Sequence, residues 1–363
     1  MGKHLVLVGG GHAHLTTLQN LKKLTGRGHR VTLVSSSPFH DYSGMGPGLL
    51  SGQYSLHELR FNIFRMAVNG GAEFIEASAT RLDPDKKELH LSNGSALAYD
   101  VISFNTGSHV TLEIPQSALG QTVFPVKPIA NLFQAREKIL SHKKTPGERL
   151  TLLVVGGGPA GCEIVGNLQE LIKKENIQAD IVVAAGSQLL DKQSQAFRNR
   201  TRLLLAQEPL QLLEGVRVTT LGKNEAKLDD GRHIEFDYAF IASGITASAP
   251  VPADGLIVNS FLQSPKFPEL FGGGDCISFE KQPLDKVGVY AVRQNPILYH
   301  NLLASLENRK FKAFIPQKNY LLILNLGLNR AIALRNKMIW SGGFVKLLKS
   351  FIDRKFVKKF QLG

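Results

Sequence analysis

The chain has 363 residues, of which 43% are hydrophobic and 20% charged, and it carries 35 glycines and a formal net charge of +13. This length and apolar content predict a large core and two or more domains, which excludes a disordered tail or a disulfide-stapled mini-protein. The two cysteines, Cys162 and Cys276, are far apart in sequence. That spacing excludes a CxxC redox pair, a zinc-binding pattern and a disulfide framework.

No window approaches the roughly 20 apolar residues of a membrane span. The apolar run from Leu5 to Val8 ends at Gly9, before a signal-peptide core could form. We therefore expect neither a membrane-spanning nor a secreted protein. The charge is uneven, because 13 of the 43 Lys and Arg residues lie in residues 308–363 against one acid, Asp353. This predicts a basic C-terminal module on a nearly neutral body.

Two stretches of the chain predict the same succession of strand, glycine turn, helix and strand. The first copy uses residues 3–8, 9–11, 14–24 and 30–34, and the second uses 152–155, 156–158, 160–173 and 180–184. This is the βαβ beginning of a nucleotide-binding fold.

The two copies also match further along. In each, a hairpin-type turn is followed after 6 residues by an aspartate and after 7 more by a glycine: Gly94, Asp100 and Gly107, then Gly231, Asp237 and Gly244. Matched turns and matched exit strands indicate a true internal repeat. We predict an α/β fold with two Rossmann-like modules.

The glycine turns predict dinucleotide sites. In G-x-G-x-x-G the first glycine makes the turn, the second lets a pyrophosphate approach, and the third lets the helix pack, while the helix N-terminus offers free N–H groups. The second copy fits fully and supplies the predicted binding residues Gly156, Gly158, Pro159, Ala160 and Gly161. The first copy supplies Gly9, Gly11, His12 and Ala13, with His14 where the third glycine belongs.

The acidic residue that commonly binds the adenosine ribose is absent from both copies. The second strand ends at Ser35 in the first copy and at Ala185-Gly186 in the second. No arginine adjoins the second strand end either, so the choice between NADH and NADPH stays open.

With these motifs, residues 3–305 resemble the two-dinucleotide-binding-domain flavoproteins of the pyridine nucleotide-disulfide oxidoreductase family. The matching segments are the two glycine turns, Asn105-Thr106-Gly107-Ser108, Ser243-Gly244 and the Gly274-Asp275 pair. The resemblance implies FAD in the first module and NADH or NADPH in the second. It also implies that Asp275 holds the ribityl and pyrophosphate region and that the strand before it returns to the first module. The predicted boundaries are 1–120 and 246–307 for FAD, 121–245 for NAD(P)H and 308–363 for the basic module.

Three segments are similar to a narrower branch, that of type II NADH dehydrogenases and of the flavoprotein module fused to selenide, water dikinase. They are residues 9–14, residues 42–48, and residues 288–294 with Gly288 and Val289 near the flavin. That branch also has histidine in place of the third glycine and no acid at the position of Ser35.

The missing cysteine pair excludes a disulfide reductase, and we expect both cysteines to be small buried hydrophobic residues. The resemblance then implies that NAD(P)H gives a hydride to flavin N5 and that a quinone-type acceptor takes the electrons. Two alternatives stay open: a soluble enzyme with another acceptor, such as one in selenium metabolism, and a flavin- or nucleotide-binding protein without turnover.

The resemblance also implies roles for charged residues. Glu163 would orient the nicotinamide carboxamide, although a glutamate in a first helical turn is favoured by the helix dipole alone. Lys286, and less strongly Lys127, would stabilise the reduced flavin, the alternative being solvated loop lysines. His12 and His14 either tune the flavin or pack, and no metal site is predicted.

Residues 320–340 predict two strands around a turn at Gly327 and Asn329, followed by a basic amphipathic helix. Its apolar stripe comprises Phe344, Leu347, Leu348, Phe351, Ile352, Phe356 and Phe360, and its basic residues are Lys346, Lys349, Arg354, Lys355, Lys358 and Lys359. Such a helix can lie on an anionic membrane. It can instead pack on the body or across a homodimer interface. We expect no nucleic-acid binding and a cytoplasmic protein, peripheral on the cytoplasmic face of a membrane.

Overall fold

The computed structural model describes residues 2–142, 149–317 and 319–361. The first sheet has five parallel strands, in the spatial order Leu270–Gly272, Val101–Phe104, His4–Val8, Arg30–Ser35 and Glu73–Glu76. The central strand His4–Val8 is buried along its whole length, as expected of a parallel sheet covered on both faces. The strand Leu270–Gly272 therefore returns the chain to the first sheet, beside Val101–Phe104.

The second sheet repeats this plan. Its five parallel strands are Val123–Pro125, Tyr238–Ile241, Leu150–Val155, Ala179–Ala185 and Gln211–Glu214. The predicted pairs of βαβ strands are thus present in both modules, and each begins and ends within one or two residues of its predicted bounds. The prediction of an α/β fold with two Rossmann-like modules is confirmed, while the exact domain boundaries stay predictions.

Each module carries a three-stranded antiparallel meander just before its exit strand, which is Val101–Phe104 in the first module and Tyr238–Ile241 in the second. The first is Ala79–Asp83, Glu88–Leu91 and Ala96–Ala98, and the second is Val218–Leu221, Glu225–Leu228 and His233–Glu235. The predicted hairpin glycines Gly94 and Gly231 both have positive φ, as these tight turns require. Three two-stranded ladders complete the body: Phe39–Asp41 with Arg60–Asn62, Ser108–Val110 with Ile245–Ala247, and Leu256–Val258 with Ile277–Phe279.

The helices cover the sheets. The α-helices are Leu15–Gln19, Leu21–Thr25, Pro47–Leu50, Ile63–Asn69, Ala130–Leu140, Pro159–Lys174, Gln195–Leu205, Gly288–Leu306 and Gly343–Phe360, and the 3-10 helices are His12–His14, His57–Leu59 and Gly274–Cys276. The predicted helix 14–24 is interrupted at Asn20, whereas the equivalent helix of the second module is continuous. Among the described helices, none has the length and apolar character to cross a membrane.

The tail comprises a small sheet and a helix. Its predicted strands are present as Leu322–Asn325 and Ala331–Arg335, and a third strand, Met338–Ser341, extends the hairpin. Sequence reasoning missed that strand because Met338 and Trp340 are exposed and the strand is only four residues long. We call Gly343–Phe360 the tail helix.

The tail helix packs on the body with one side, so the predicted single apolar stripe is wrong in part. Phe356 and Phe360 pack around Phe61 of the first module. By contrast, Phe344, Leu347 and Phe351 are 78%, 69% and 65% exposed. The tail helix therefore has a packed face and a separate exposed apolar face.

Two of the six predicted basic residues of this helix do not face solvent. Lys346 pairs with Glu170 at 3.3 Å, and Lys349 pairs with Asp353 at 2.8 Å. Their side chains are only 13% and 12% exposed. A helical plot places Asp353 one turn after Lys349, but it could not show the partner of Lys346, because Glu170 comes from the helix Pro159–Lys174.

We predict that Phe360→Ala destabilises the protein by about 3–5 kcal/mol, because it empties a buried aromatic site. The matched variant Phe344→Ala, on the same helix but largely exposed, should change the free energy of unfolding by about 0.5 kcal/mol or less. Urea unfolding of both variants checks this. Equal effects of the two substitutions would contradict the docking described here.

Candidate functional site

The first glycine turn is packed tightly against Asn105. Gly9 has φ +83°, and a Cβ atom there would lie 2.4 Å from the Asn105 carbonyl oxygen. A Cβ on Gly11 would lie 2.4 Å from Asn105 Oδ1, and that oxygen accepts the N–H of Ala13 at 2.9 Å. The structure thus brings these four predicted residues together, although the Ala13 N–H already has a protein partner.

Asn105 also fixes the segment that carries the aspartate. Its Nδ2 donates to the carbonyl oxygen of Gly273 at 2.6 Å. The next residue, Gly274, has φ +78° and donates its N–H to Gln294 Oε1 at 2.7 Å. The turn, the exit strand and the helix Gly288–Leu306 therefore meet at one end of the first sheet.

Asp275 lies in a cationic pocket. Its Oδ2 accepts hydrogen bonds from Lys127 Nζ at 2.6 Å and from the Ser108 hydroxyl at 2.8 Å. Lys286 Nζ donates to the Asp275 carbonyl oxygen at 2.8 Å. Both predicted lysines are thus neighbours of the predicted flavin aspartate, although they are 159 residues apart in the chain.

The other residues predicted in the first module border the same end of the sheet. Thr106 Oγ1 donates to the Ser248 carbonyl oxygen at 3.1 Å, and the Gly107 carbonyl oxygen accepts the N–H of Ser248. Gly288 begins its helix, a Cβ there lying 3.6 Å from Ser43 Oγ. Val289, the next residue, instead lines a separate cavity of about 230 Å³, together with Arg293, Phe314 and Tyr320.

Ser35 ends its strand and pairs in register with Glu76 on the neighbouring strand. A carboxylate therefore lies beside the strand end that has no acid of its own. Sequence reasoning missed Glu76 because it is 41 residues away in the chain.

His14 has a structural role in place of the third glycine. It is completely buried, with Nδ1 2.6 Å from the Gly9 carbonyl oxygen and Nε2 2.8 Å from the Ser103 hydroxyl. Because a carbonyl only accepts, Nδ1 carries the proton and Nε2 accepts from Ser103. Burial lowers the pKa of His14 to about 4, so the imidazole is neutral. It bridges the turn to the exit strand.

His12 belongs to a buried aromatic cluster. Its Nδ1 lies 3.3 Å from His40 Nε2, and its ring contacts Tyr42 and Phe356 at centroid distances of 5.3 and 5.9 Å. Burial, then the neighbouring His40 and Lys127, hold its pKa well below the usual histidine value. His12 Nε2 is buried and has no hydrogen-bond partner among the described residues.

The second glycine turn has the same close packing but an open N-terminus. Gly156 has φ +119°, with a hypothetical Cβ 2.9 Å from the side chain of Ser243, and a Cβ on Gly161 would lie 1.9 Å from the Gly156 carbonyl oxygen. At Gly158, directly before the helix Pro159–Lys174, a Cβ would meet no described heavy atom within 4 Å. Gly244 has φ +57° beside Thr111.

Glu163 lies where the second module meets the tail. Its Oε1 accepts the N–H of Asn325 at 2.9 Å and lies 4.0 Å from Lys349 Nζ. Burial raises the pKa of Glu163 to about 7, although Lys349 and the Asn325 N–H act in the opposite direction. Asp353 bonds Lys349 and also accepts the Tyr42 hydroxyl at 3.0 Å. Glu163 is thus linked through Lys349, Asp353 and Tyr42 to His12, which sequence spacing could not show.

The cysteines match their expected character. Both are buried and free, and burial raises the pKa of each thiol above its usual range. Cys276 Sγ lies 3.4 Å from the Phe104 carbonyl oxygen. Neither is an accessible thiolate.

Two Rossmann-like modules, each with a glycine turn at the carboxyl end of its first strand, are the architecture of a dinucleotide-binding protein. Residues 3–301 match the family model of the pyridine nucleotide-disulphide oxidoreductases, and the chain belongs to that family.

The relatives include quinone-linked enzymes. The chain is 28% identical over 292 residues to oxidoreductase ptaL of Pestalotiopsis fici, covering 74% of each chain. It is 22% identical over 357 residues to the sulfide-quinone reductase of Aquifex aeolicus, covering 90% of this chain and 82% of the other.

Solved structures show the same fold over nearly the whole chain. The Aquifex aeolicus sulfide:quinone oxidoreductase superposes with a TM-score of 0.80 at 18% identity, over 99% of this chain and 92% of that one. NDH2 of Plasmodium falciparum in complex with NADH superposes with a TM-score of 0.81 at 16% identity, over 98% and 97%.

FAD and NADH or NADPH are the cofactors of this family, and the residues present fit them. The open space at Gly158 lies on the N-terminus of a 16-residue helix, which suits a pyrophosphate. The unpartnered His12 Nε2 and the cations around Asp275 provide polar groups beside the first turn. This chemistry suits a bound anionic dinucleotide at each turn.

We predict that His14→Gly, which restores the third glycine of the motif, destabilises the protein by about 2–5 kcal/mol, because it removes two buried hydrogen bonds and leaves a cavity. His57→Gly is the control, since His57 is exposed in another 3-10 helix. Urea unfolding at pH 7.5 and equal free FAD measures both. If the two variants lose the same stability, the bridging role is wrong.

The difference between wild type and His14→Gly should also depend on pH. With a pKa of about 4 when folded and about 6.5 when unfolded, His14 binds protons more tightly in the unfolded state. Its contribution is present above pH 6.5 and is lost as the pH falls toward 4. The difference should therefore shrink by about 2 kcal/mol at pH 5.

Proposed function

We propose that the protein is a flavin-dependent oxidoreductase that takes a hydride from NAD(P)H and passes electrons to a quinone without a redox-active disulfide. The observation that carries this proposal is that one chain has both a cationic surrounding at Asp275 and an open second turn at Gly158, while its two cysteines are each buried. Direct transfer is the chemistry that such a site leaves available.

The residues divide into two sets. Gly9, Gly11, His12, Asn105 and Asp275 would hold FAD, with Lys127 and Lys286 as nearby cations. Gly156, Gly158, Pro159, Gly161 and Ser243 would hold NAD(P)H. FAD, when bound, accepts a hydride and supplies electrons to the acceptor. The cations favour the negative charge that develops on the reduced cofactor.

Glu163 would act in the polar junction between the nucleotide module and the tail. With a pKa of about 7, it can carry or release a proton near neutral pH. The Lys349 cation lies 4.0 Å from Glu163 Oε1 and is itself paired with Asp353 at 2.8 Å. This extends the role inferred from resemblance, the orientation of the nicotinamide.

A quinone is supported by the sulfide-quinone reductase relative and by the exposed apolar face of the tail helix. Phe344, Leu347 and Phe351 follow one another at helical spacing, and Lys355 and Lys358 are exposed near them. Such a surface suits the interface of an anionic membrane. We therefore place the protein on the cytoplasmic face of a membrane, where a lipid-soluble acceptor is present.

The first test is the visible spectrum of the purified full chain before and after anaerobic NADH or NADPH, followed by addition of a short-chain quinone. Asp275→Ala should lower the bound flavin, while Asp254→Ala, an exposed acid nearby, should leave it unchanged. Gly158→Val should retain flavin and lose its reduction by nucleotide, because its side chain fills the open space.

Each result has a distinct meaning. A fully yellow Asp275→Ala protein would show that the flavin is held elsewhere. If nucleotide bleaches the flavin of Gly158→Val as it does that of wild type, the second module does not bind the hydride donor. Reduced wild-type flavin that no quinone reoxidises would favour the soluble acceptors considered above.

We predict that replacing Phe344, Leu347 and Phe351 with serine abolishes binding to vesicles containing anionic lipid. The control Leu203→Ser/Ile257→Ser removes apolar residues that are 64% and 55% exposed elsewhere and should bind normally. Lys355→Glu and Lys358→Glu should each weaken binding several-fold, on the scale of about 1 kcal/mol per charge. Vesicle flotation measures the binding of all four variants. Retained binding in the triple variant would contradict the membrane surface.

A further inference from the structure

The donor's identity depends on the end of the strand Ala179–Ala185. In a Rossmann module an acid at this end binds the ribose 2′-hydroxyl of NADH, whereas an arginine nearby binds the 2′-phosphate of NADPH. Ala184, Ala185 and Gly186 offer no carboxylate. No arginine adjoins this strand end along the sequence, as expected, but the tertiary structure brings one to it.

The structure brings Arg217 to this position. The segment after the strand Gln211–Glu214 is fastened to the strand end, because Val216 donates its N–H to the Ala185 carbonyl oxygen at 3.2 Å. A Cβ built on Gly186 would lie 2.8 Å from Arg217 Cγ and 3.4 Å from its Nε. The arginine side chain therefore lies directly over Gly186, which has no side chain in the way.

Arg217 is available to bind an anion. Its side chain is exposed and has no carboxylate partner in the part of the chain that the structure describes. The nearby acid Glu214 pairs in register with Ala185, and its Oε1 accepts hydrogen bonds from Arg202 and from the Leu189 N–H at 2.5 Å each. Among the described residues, the hydrogen bond that Asp229 accepts comes from the backbone N–H of Arg217, at 3.0 Å.

The loop after the strand adds further polar groups. Ser187 donates its hydroxyl to Asp191 at 2.9 Å, and Gln188 accepts from Arg198 at 2.7 Å. Asp191 lies in the same loop and is exposed. Two arginines, Arg198 and Arg217, thus flank a loop whose carboxylates are hydrogen-bonded.

We propose that Arg217 selects NADPH over NADH by binding the 2′-phosphate of the adenosine ribose, with Ser187 and Arg198 beside it. This inference rests on the proposed function in one respect, that the second module binds the nicotinamide nucleotide. An arginine is suited to the task because its planar guanidinium forms paired, charge-assisted hydrogen bonds with phosphate oxygens.

The test separates nucleotide binding from turnover. Calorimetry of the FAD-loaded full chain with 2′,5′-ADP and with 5′-AMP measures the contribution of the 2′-phosphate alone. Wild type should bind 2′,5′-ADP on the order of ten-fold or more tightly than 5′-AMP. Arg217→Ala should abolish that preference with little change for 5′-AMP, and Arg217→Lys should retain part of it.

A matched control and a kinetic readout complete the experiment. Arg232→Ala removes an exposed arginine of the same module that is paired with Asp230 and should leave the preference intact. In flavin reduction, Arg217→Ala should lower kcat/KM for NADPH about ten-fold and leave that for NADH unchanged.

The failures are distinguishable. Equal binding of the two ligands by wild type, or equal effects of Arg217→Ala and Arg232→Ala, would overturn the role of Arg217 while leaving NAD(P)H oxidation intact. If neither ligand binds and neither nucleotide reduces the flavin, the proposed function of the second module fails together with this inference.

Discussion

The buried ammonium group of Lys349 is the constraint on which the arrangement of this protein depends. It lies 2.6 Å from the Gly44 carbonyl oxygen, 2.8 Å from Asp353 Oδ2 and 4.0 Å from Glu163 Oε1. Burial lowers the pKa of Lys349, but the two carboxylates outweigh it and the net shift is upward, so the group stays charged. A buried charge is tolerated only when it is paired, so the tail helix can dock only with this face inward.

That docking decides which apolar residues of the tail helix are packed and which are exposed. Once Lys349 and Asp353 face the body, Phe356 and Phe360 must pack near Phe61. Phe344, Leu347 and Phe351 then project away from it. The same contact places Tyr42 between Asp353 and the ring of His12. The contacts of Lys349 thus link the tail helix, which carries the surface proposed for the membrane, to Gly44 of the first module and to Glu163 of the second.

The two modules show how a duplicated fold can diverge at one position of a motif. In the second, Gly161 is required because any Cβ would collide with the Gly156 carbonyl oxygen. In the first, the corresponding His14 is accommodated by hydrogen bonds to Gly9 and Ser103. Because the imidazole is neutral and completely buried, it acts as a polar bridge within the core. The histidine that replaces the third glycine is therefore accommodated by hydrogen bonds within its own module.

The sequence by itself determined the α/β class, the two modules and the glycine turns, because strand periodicity and positive-φ glycines are local properties of the chain. The family resemblance, through a short motif, also predicts that Asp275 binds a flavin. Only the tertiary structure decided that Lys127 and Lys286 meet at Asp275, that Glu163 faces Lys349, and that Arg217 covers Gly186. The reason is physical: these contacts join residues from separate elements, and their distances follow from how the sheets and the tail pack together rather than from spacing along the chain.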